Sequence, residues 1–325
     1  MKDNLYKYKL DQLGEDVSRG KPIVLYLGAG VNCSSYRDMS WQALLSHLEL
    51  ASGMSEYELN QLKGIDNELR TSIIKRRLGV GYIHAIQNFL YSNCNEKVLA
   101  EAYKLYKNWK ESNDKKGLGE IPFYSLFVLA DIIVNSNSIK AVVTQNYDRF
   151  LSYAIDLMQH NVTKDSRKLP IDIYDGQNTI ATNIDTISIY HVHGLIPAPD
   201  EVIPDEQINH VVLSKDETFD MLRDAYSWQT GTQLHFFSHY TVLLLGLSLT
   251  DMTTLRLISY TNANHKRDKI YYFTACSNTK QQYDERYSLT NEYLNSIGIN
   301  VVFKSEKYSD MYYELLHTLK NENDG

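Results

Sequence analysis

The sequence predicts an α/β fold: a Rossmann-like, mostly parallel sheet covered by helices, with an inserted helical module. Three observations carry this expectation. The stretch "PIVLYL" at 22–27 is a continuous apolar run bounded by Pro and Gly, as a strand buried on both faces of a parallel sheet reads. Five further apolar runs alternate with amphipathic stretches of helical period, as βαβ units do. Between about 55 and 135 the alternation lapses, and only helical patterns occur.

Taken in order, residues 1–20 form a lead-in helix with Tyr6, Leu10 and Leu13 on one side, and "PIVLYL" is the first strand. Ser40 is placed to cap a helix whose apolar face is Trp41, Leu44, Leu45 and Leu48. Farther on, Leu99, Ala102, Tyr103, Tyr106 and Trp109 recur at i, i+3, i+4 spacing, and "KKGLGE" breaks that pattern before "PFYSLFVLADIIV". The later strands are "IKAVVTQN", "TISIYHVHG", "TVLLLGLS", "KIYYFTA" and "NVVFKS". Between and after them lie the helical stretches "YDRFLSYAIDLM", "DETFDMLRDAYSW", "DMTTLRLISYTN" and "MYYELLHTLKN". The expected organisation is one domain over 1–325, with a helical insertion at about 55–135.

Composition narrows the function classes. No run approaches the roughly twenty apolar residues that span a bilayer, and "MKDNLYKYKLDQLGED" has no signal-peptide core, so a soluble, cytoplasmic protein is expected. Cys33, Cys94 and Cys276 are the only cysteines, widely spaced and odd in number, which suits reduced thiols and supplies neither a disulfide framework nor a Cys-x-x-Cys zinc site. A net charge of −7 gives no general footprint for nucleic acid, although Lys75 to Arg77 form a local basic run. The 25 tyrosines are scattered at packing positions and need no further role.

In a doubly wound sheet, ligands bind beyond the carboxyl ends of the strands, so the residues just after each strand are where chemistry is sought. The first strand ends in Gly28-Ala29-Gly30-Val31-Asn32. Such glycines let backbone N–H groups approach a phosphate beside a helix terminus, but they also serve any tight turn, and the G-x-G-x-x-G fingerprint is incomplete. The second end, Thr144-Gln145-Asn146-Tyr147-Asp148, places adjacent polar side chains where they would be costly in a core; they face a pocket, or one of them caps a helix. At the third, His191 and His193 share a strand face by period two, which suits a metal, although no third ligand is identifiable. Gly194 would alternatively leave His193 at the mouth as a catalytic base, and a structural histidine is the third reading. At the fourth, Gly246-Leu247-Ser248-Leu249-Thr250-Asp251, Ser248 or Thr250 is a candidate cap and Asp251 suits the first helical turn.

Together and in this order, "GAGVN", "TQNYD", "HVHG" and "GLSLTD" resemble the motif set of the sirtuin superfamily, and the closing "IGINVVFKSEKYSDMYYELLHTL" is similar to that family's last strand and helix. Protein deacylases of the superfamily carry a zinc module held by four cysteines, which three scattered cysteines cannot supply, and the Pro-Asp-Phe-Arg pattern after GAG is missing. Instead "CSSYRDMSWQALL" is close to the G-x-P-S-W form of a bacterial branch, departing from it at Tyr36 or Arg37, where a glycine is usual, and by one extra residue before Ser40-Trp41.

That branch resembles antiphage-defence proteins that hydrolyse NAD+. The resemblance implies NAD+ as substrate and no metal. Gly28, Ala29, Gly30 and Asn32 would bind the dinucleotide, with Thr144 and Gln145 also on the cofactor side. Asn146 and Asp148 would hold the nicotinamide ribose and His193 would be the base, which makes these three the catalytic candidates. Gly246 and Ser248 would meet the adenosine half, and Asp251 would order that loop. The implied partners are further copies of the chain in a homo-oligomer and a separate ATPase or nucleic-acid-sensing defence protein; neither a membrane nor strong direct nucleic-acid binding is expected. A non-catalytic sensor of NAD or ADP-ribose keeps the same fold and site, and a deacylase is the third alternative.

Overall fold

The computed structural model describes residues 2–33, 38–92, 94–112, 117–160, 170–175, 186–199, 201, 211–224, 227–249, 251–265, 269–275, 289–304 and 307–320. The chain begins α1 (Lys2–Ser18), β1 (Ile23–Leu27), α2 (Trp41–Ala51), α3 (Glu56–Gln61), α4 (Asn67–Leu78), α5 (Tyr82–Tyr91), α6 (Glu96–Ser112), α7 (Tyr124–Asn135). It continues β2 (Ile139–Thr144), α8 (Phe150–His160), β3 (Ile171–Tyr174), β4 (Ile187–His191), α9 (Lys215–Arg223), α10 (Trp228–His239), β5 (Thr241–Leu245). It closes α11 (Met252–His265), β6 (Ile270–Ala275), β7 (Ile299–Lys304), α12 (Tyr308–Lys320), and 289–296 is also helical.

The strands form one seven-stranded sheet in the order β3-β4-β2-β1-β5-β6-β7, and every pairing is parallel. All five residues of β1 are buried, and they divide between two faces. Ile23, Leu25 and Leu27 pack with α1, α2, α5 to α8 and α12, while Val24 and Tyr26 pack with α10 and α11. Each such aliphatic side chain contributes about 1.5–3 kcal/mol by leaving water. Burial on both faces explains why the central strands read as unbroken apolar runs rather than as alternation.

Local chemistry fixes several helix starts. The Ser40 hydroxyl accepts the Ala43 N–H, as its position suggested, and Ser55 with Glu58 and Ser214 with Glu217 form reciprocal capping boxes. Within the stretch at 55–135, α7 is almost wholly buried, packs on α8 and α12, and joins the core cluster that includes Ile23, Leu25 and Leu27 of β1.

Three expectations are corrected. Strand β3, "IDIY", was not anticipated: it is a four-residue edge strand, half-buried, without the apolar run that marked the others. The stretch "DETFDMLRDAYSW" is not one helix, because α9 stops at Arg223 and α10 starts afresh at Trp228, capped by Ser227. Strand β4 ends at His191, and the Gly194 N–H returns to the His191 carbonyl in a turn, so period two does not carry His193 onto the face of His191. Among the described residues no helix is long and apolar enough to cross a membrane.

Candidate functional site

Register brings the expected strand ends to one edge. Leu27 pairs with Thr144 on one side and with Leu245 on the other, and Thr144 pairs with His191. The residues that follow β1, β2, β4 and β5 therefore lie level with one another. Here the strand order also switches: from β1 the chain moves to β2 on one side and later to β5, β6 and β7 on the other.

A cavity of about 1000 Å³ opens at this edge, large enough for a sizeable small molecule. The turn Gly28, Ala29, Gly30 lines it together with Asn32. Gln145, Asn146 and Asp148 contribute from the end of β2, and His193 from the turn after β4. Gly246, Ser248 and Asp251 close it from the β5 side. Thr144 does not line this cavity: its hydroxyl accepts the Asn146 N–H at 3.0 Å and stays buried at the strand end.

The glycines answer first to backbone packing. Gly30 N–H donates to the Gly246 carbonyl at 2.9 Å, and Gly28 N–H to that of Leu245 at 3.0 Å. A Cβ on Gly30 would stand 2.8 Å from the Gly246 oxygen, and one on Gly246, where φ is +65°, would stand 2.5 Å from the Val31 nitrogen. The two loops interlock, and only glycine permits that approach. The expectation that an α-helix presents its N-terminus at GAG is corrected: Ala29–Val31 make a three-residue 3-10 turn, and α2 starts only at Trp41. Ser34 to Arg37, where the loop departs from the branch pattern, lie outside the described residues, as do Thr250 and Cys276.

Asp148 is buried and receives the Phe150 N–H at 3.0 Å and the Asn32 amide at 2.6 Å. Burial dominates its titration and pushes the carboxyl up to about 6, despite those donors. Burial pushes the His193 imidazole below its ordinary value, opposed by the charge of Asp251, so the ring is neutral at pH 7. Burial alone would raise Asp251, but His193 and hydrogen bonds from Thr253 and Thr254 outweigh it and hold this carboxylate below its usual range.

Asp251 itself is the cap of α11, accepting the Thr253 N–H at 2.8 Å and the Thr254 N–H at 3.3 Å, the role considered for Ser248 or Thr250. Its second oxygen joins a buried network. Thr254 Oγ1 donates to it at 2.6 Å and Gln145 Nε2 at 3.0 Å, while Gln145 Nε2 also lies 3.2 Å from the Tyr26 hydroxyl. That hydroxyl donates to Gln233 Oε1 at 2.6 Å. Tyr26 and Gln233 escaped sequence reasoning, although a tyrosine inside an aliphatic strand signals a polar tip that needs a partner.

His191 does not share the cavity with His193; it is buried behind Asn146. Among the described residues, no group of three or more His, Cys, Asp or Glu could hold a metal ion.

Fold and site together define a doubly wound α/β protein with a large cavity at the switch point of its sheet. Residues 140–302 match the SIR2-like domain family, and the chain belongs to that family. SIR2-like domains are in general NAD-dependent enzymes, and membership points to an NAD-related function. The matched segment contains Gln145, Asn146, Asp148, His193, Gly246, Ser248 and Asp251, while Gly28 to Asn32 precede it. A comparison with curated proteins finds no match.

Proposed function

We propose that the chain is an NAD+ glycohydrolase, cleaving the bond between nicotinamide and ribose with water to give nicotinamide and ADP-ribose. One observation carries the reading: Asn146, Asp148 and His193 converge on one large cavity beside the interlocked glycine loops, in a SIR2-like chain. Cleavage passes through an oxocarbenium-like state, which requires a held ribose, an oriented water and no stronger nucleophile nearby. The Asn146 amide orients ribose or water, and neutral His193 takes a proton from water or a ribose hydroxyl. Asp148, mostly ionised at pH 7, offers a fixed negative charge to the cation that develops on the ring. The resemblance to antiphage-defence proteins supplies the biological setting, depletion of cellular NAD+ in a homo-oligomer or under a partner protein's control.

The test is nicotinamide release from NAD+ by the purified full chain, alone and in each oligomeric form isolated. His193→Ala and Asn146→Ala are each expected to lower kcat on the order of a hundredfold or more. NAD+ that binds tightly and stays intact for hours would replace the hydrolase with a nucleotide sensor. Full activity in both variants would reject the assignment of these two residues.

A further inference from the structure

Asn146 belongs to no helix or strand, yet its main chain is fixed on both sides. Its N–H donates to Thr144 Oγ1 at 3.0 Å, and its carbonyl lies 2.9 Å from His191 Nδ1. A carbonyl only accepts, so Nδ1 carries the proton and Nε2 of the neutral ring is left as an acceptor. Thr144 and His191 are the last residues of β2 and β4, and they are register partners in the sheet. Both are buried, at 4% and 2% exposure, so the clamp is rooted in paired strand ends inside the sheet.

Burial, the largest influence, holds His191 at about 4, only partly offset by its hydrogen bond to Asn146, so the ring stays neutral and keeps this tautomer at physiological pH. Against it lies a second cavity of about 10 Å³, bordered also by Thr144, Asn146, Asp148 and Ser152. Leu27, Val31, Leu151 and Ile189 also form its walls, so this side of the ring faces largely apolar packing.

We propose that His191 is a positioning residue: with Thr144 it clamps the Asn146 main chain between two strand ends and so aims the Asn146 side chain into the large cavity. The inference rests on Asn146 acting there on ribose or water, as proposed above, and it gives the first histidine of "HVHG" a task separate from that of His193.

The test compares two substitutions that differ in where they place a donor. In His191→Asn the amide nitrogen stands near the position of Nδ1, whereas in His191→Gln it reaches toward that of Nε2. The Asn variant is expected to keep kcat for NAD+ within about threefold of wild type. The Gln variant is expected to lose about tenfold or more in kcat with KM little changed, because misplacing a reacting group by about 1 Å costs up to about a hundredfold. In an Asn146→Ala background, His191→Gln is expected to have no further effect on kcat, since the group being aimed is gone. Equal kcat in the Asn and Gln variants, losses that merely follow Tm, or additive losses with Asn146→Ala would overturn the proposal. If wild-type chain leaves NAD+ intact, the hydrolase reading fails by itself. The same variants are then ranked by calorimetric affinity for ADP-ribose: Asn above Gln, with no further loss in the double variant, supports the clamp, and equal affinities overturn it.

Discussion

Three glycine-to-alanine substitutions separate strain from steric clash at the interlocked loops. Gly53, beyond the end of α2, has φ +64°, and a Cβ at this position would meet nothing within 4 Å, so Gly53→Ala incurs strain alone. Gly30 has no positive φ, but its Cβ would meet the Gly246 oxygen at 2.8 Å and its Cα at 2.9 Å, so Gly30→Ala incurs clash alone. Gly246→Ala incurs both, with Val31 N at 2.5 Å and Val31 Cγ1 at 2.8 Å. Left-handed backbone costs an L-residue about 1–2 kcal/mol. Overpacking costs about 1–3 kcal/mol. Alanine returns about 0.4–1 kcal/mol by restricting the unfolded chain. The expected net losses are therefore about 0.5–1 kcal/mol for Gly53→Ala, about 1–2 for Gly30→Ala and about 2–4 for Gly246→Ala. Urea unfolding at constant m measures all three. A Gly246→Ala protein no less stable than Gly53→Ala would refute the interlock, because the contacts that distinguish the two sites would then cost nothing.

Two other perturbations address the buried polar groups. Asp148 titrates near 6 in the fold against an ordinary 3.8, so the folded chain holds this proton more tightly than the unfolded one. Its contribution is fully present below about pH 3.8 and is lost, by about 3 kcal/mol, as pH rises to about 6. Asp148→Asn removes that loss, and its Tm is expected to climb more steeply than wild type between about pH 4 and 6; parallel Tm profiles would contradict the burial argument. Tyr26→Phe leaves Gln233 Oε1 without its donor and Gln145 without one acceptor, at a cost of about 1–3 kcal/mol in urea unfolding. A change below about 0.5 kcal/mol would show that the network under the cavity is not held by this hydroxyl.

The fold was legible where burial is uniform. Strands β1, β2 and β5 announce themselves because both of their faces are covered, and the cap at Ser40 is a local matter between residues three apart. Edge strand β3 was not legible, since a half-buried tetrapeptide carries neither an apolar run nor a clean alternation. At the site, the motif positions were legible but their division of labour was not. The partner of Gly30 is Gly246, and that of Asn32 is Asp148, each separated by more than a hundred residues and joined only by strand order. Within "TQNYD" the neighbours part company: Thr144 serves the backbone, while Gln145 lines the cavity through the network of Tyr26 and Asp251 and Asn146 lines it directly. Where His191 and His193 point depended on which residue ends β4, a boundary that alternation alone does not locate.

These cross-loop bonds imply that the floor of the site is assembled before any ligand arrives. Gly30 to Gly246 ties the loop after β1 to that after β5, Asn32 to Asp148 ties it to the loop after β2, and Val212 N–H holds the His193 carbonyl at 2.9 Å. A ligand that meets groups already fixed by the protein does not bear the cost of ordering them. For the same reason, a control mechanism that worked by disordering this floor would have to break buried backbone hydrogen bonds and close packing, each costly to leave unmade. Restraint of the proposed NAD+ hydrolase would fall instead on access to the cavity or on assembly of the chain. Hydrogen exchange tests the premise directly: the Gly30 and Asn146 amides are expected to exchange slowly in the free protein and to gain little further protection when ADP-ribose is added. Fast exchange at both in the free protein, followed by strong protection on binding, would mean that the ligand orders the floor and that regulation can act there.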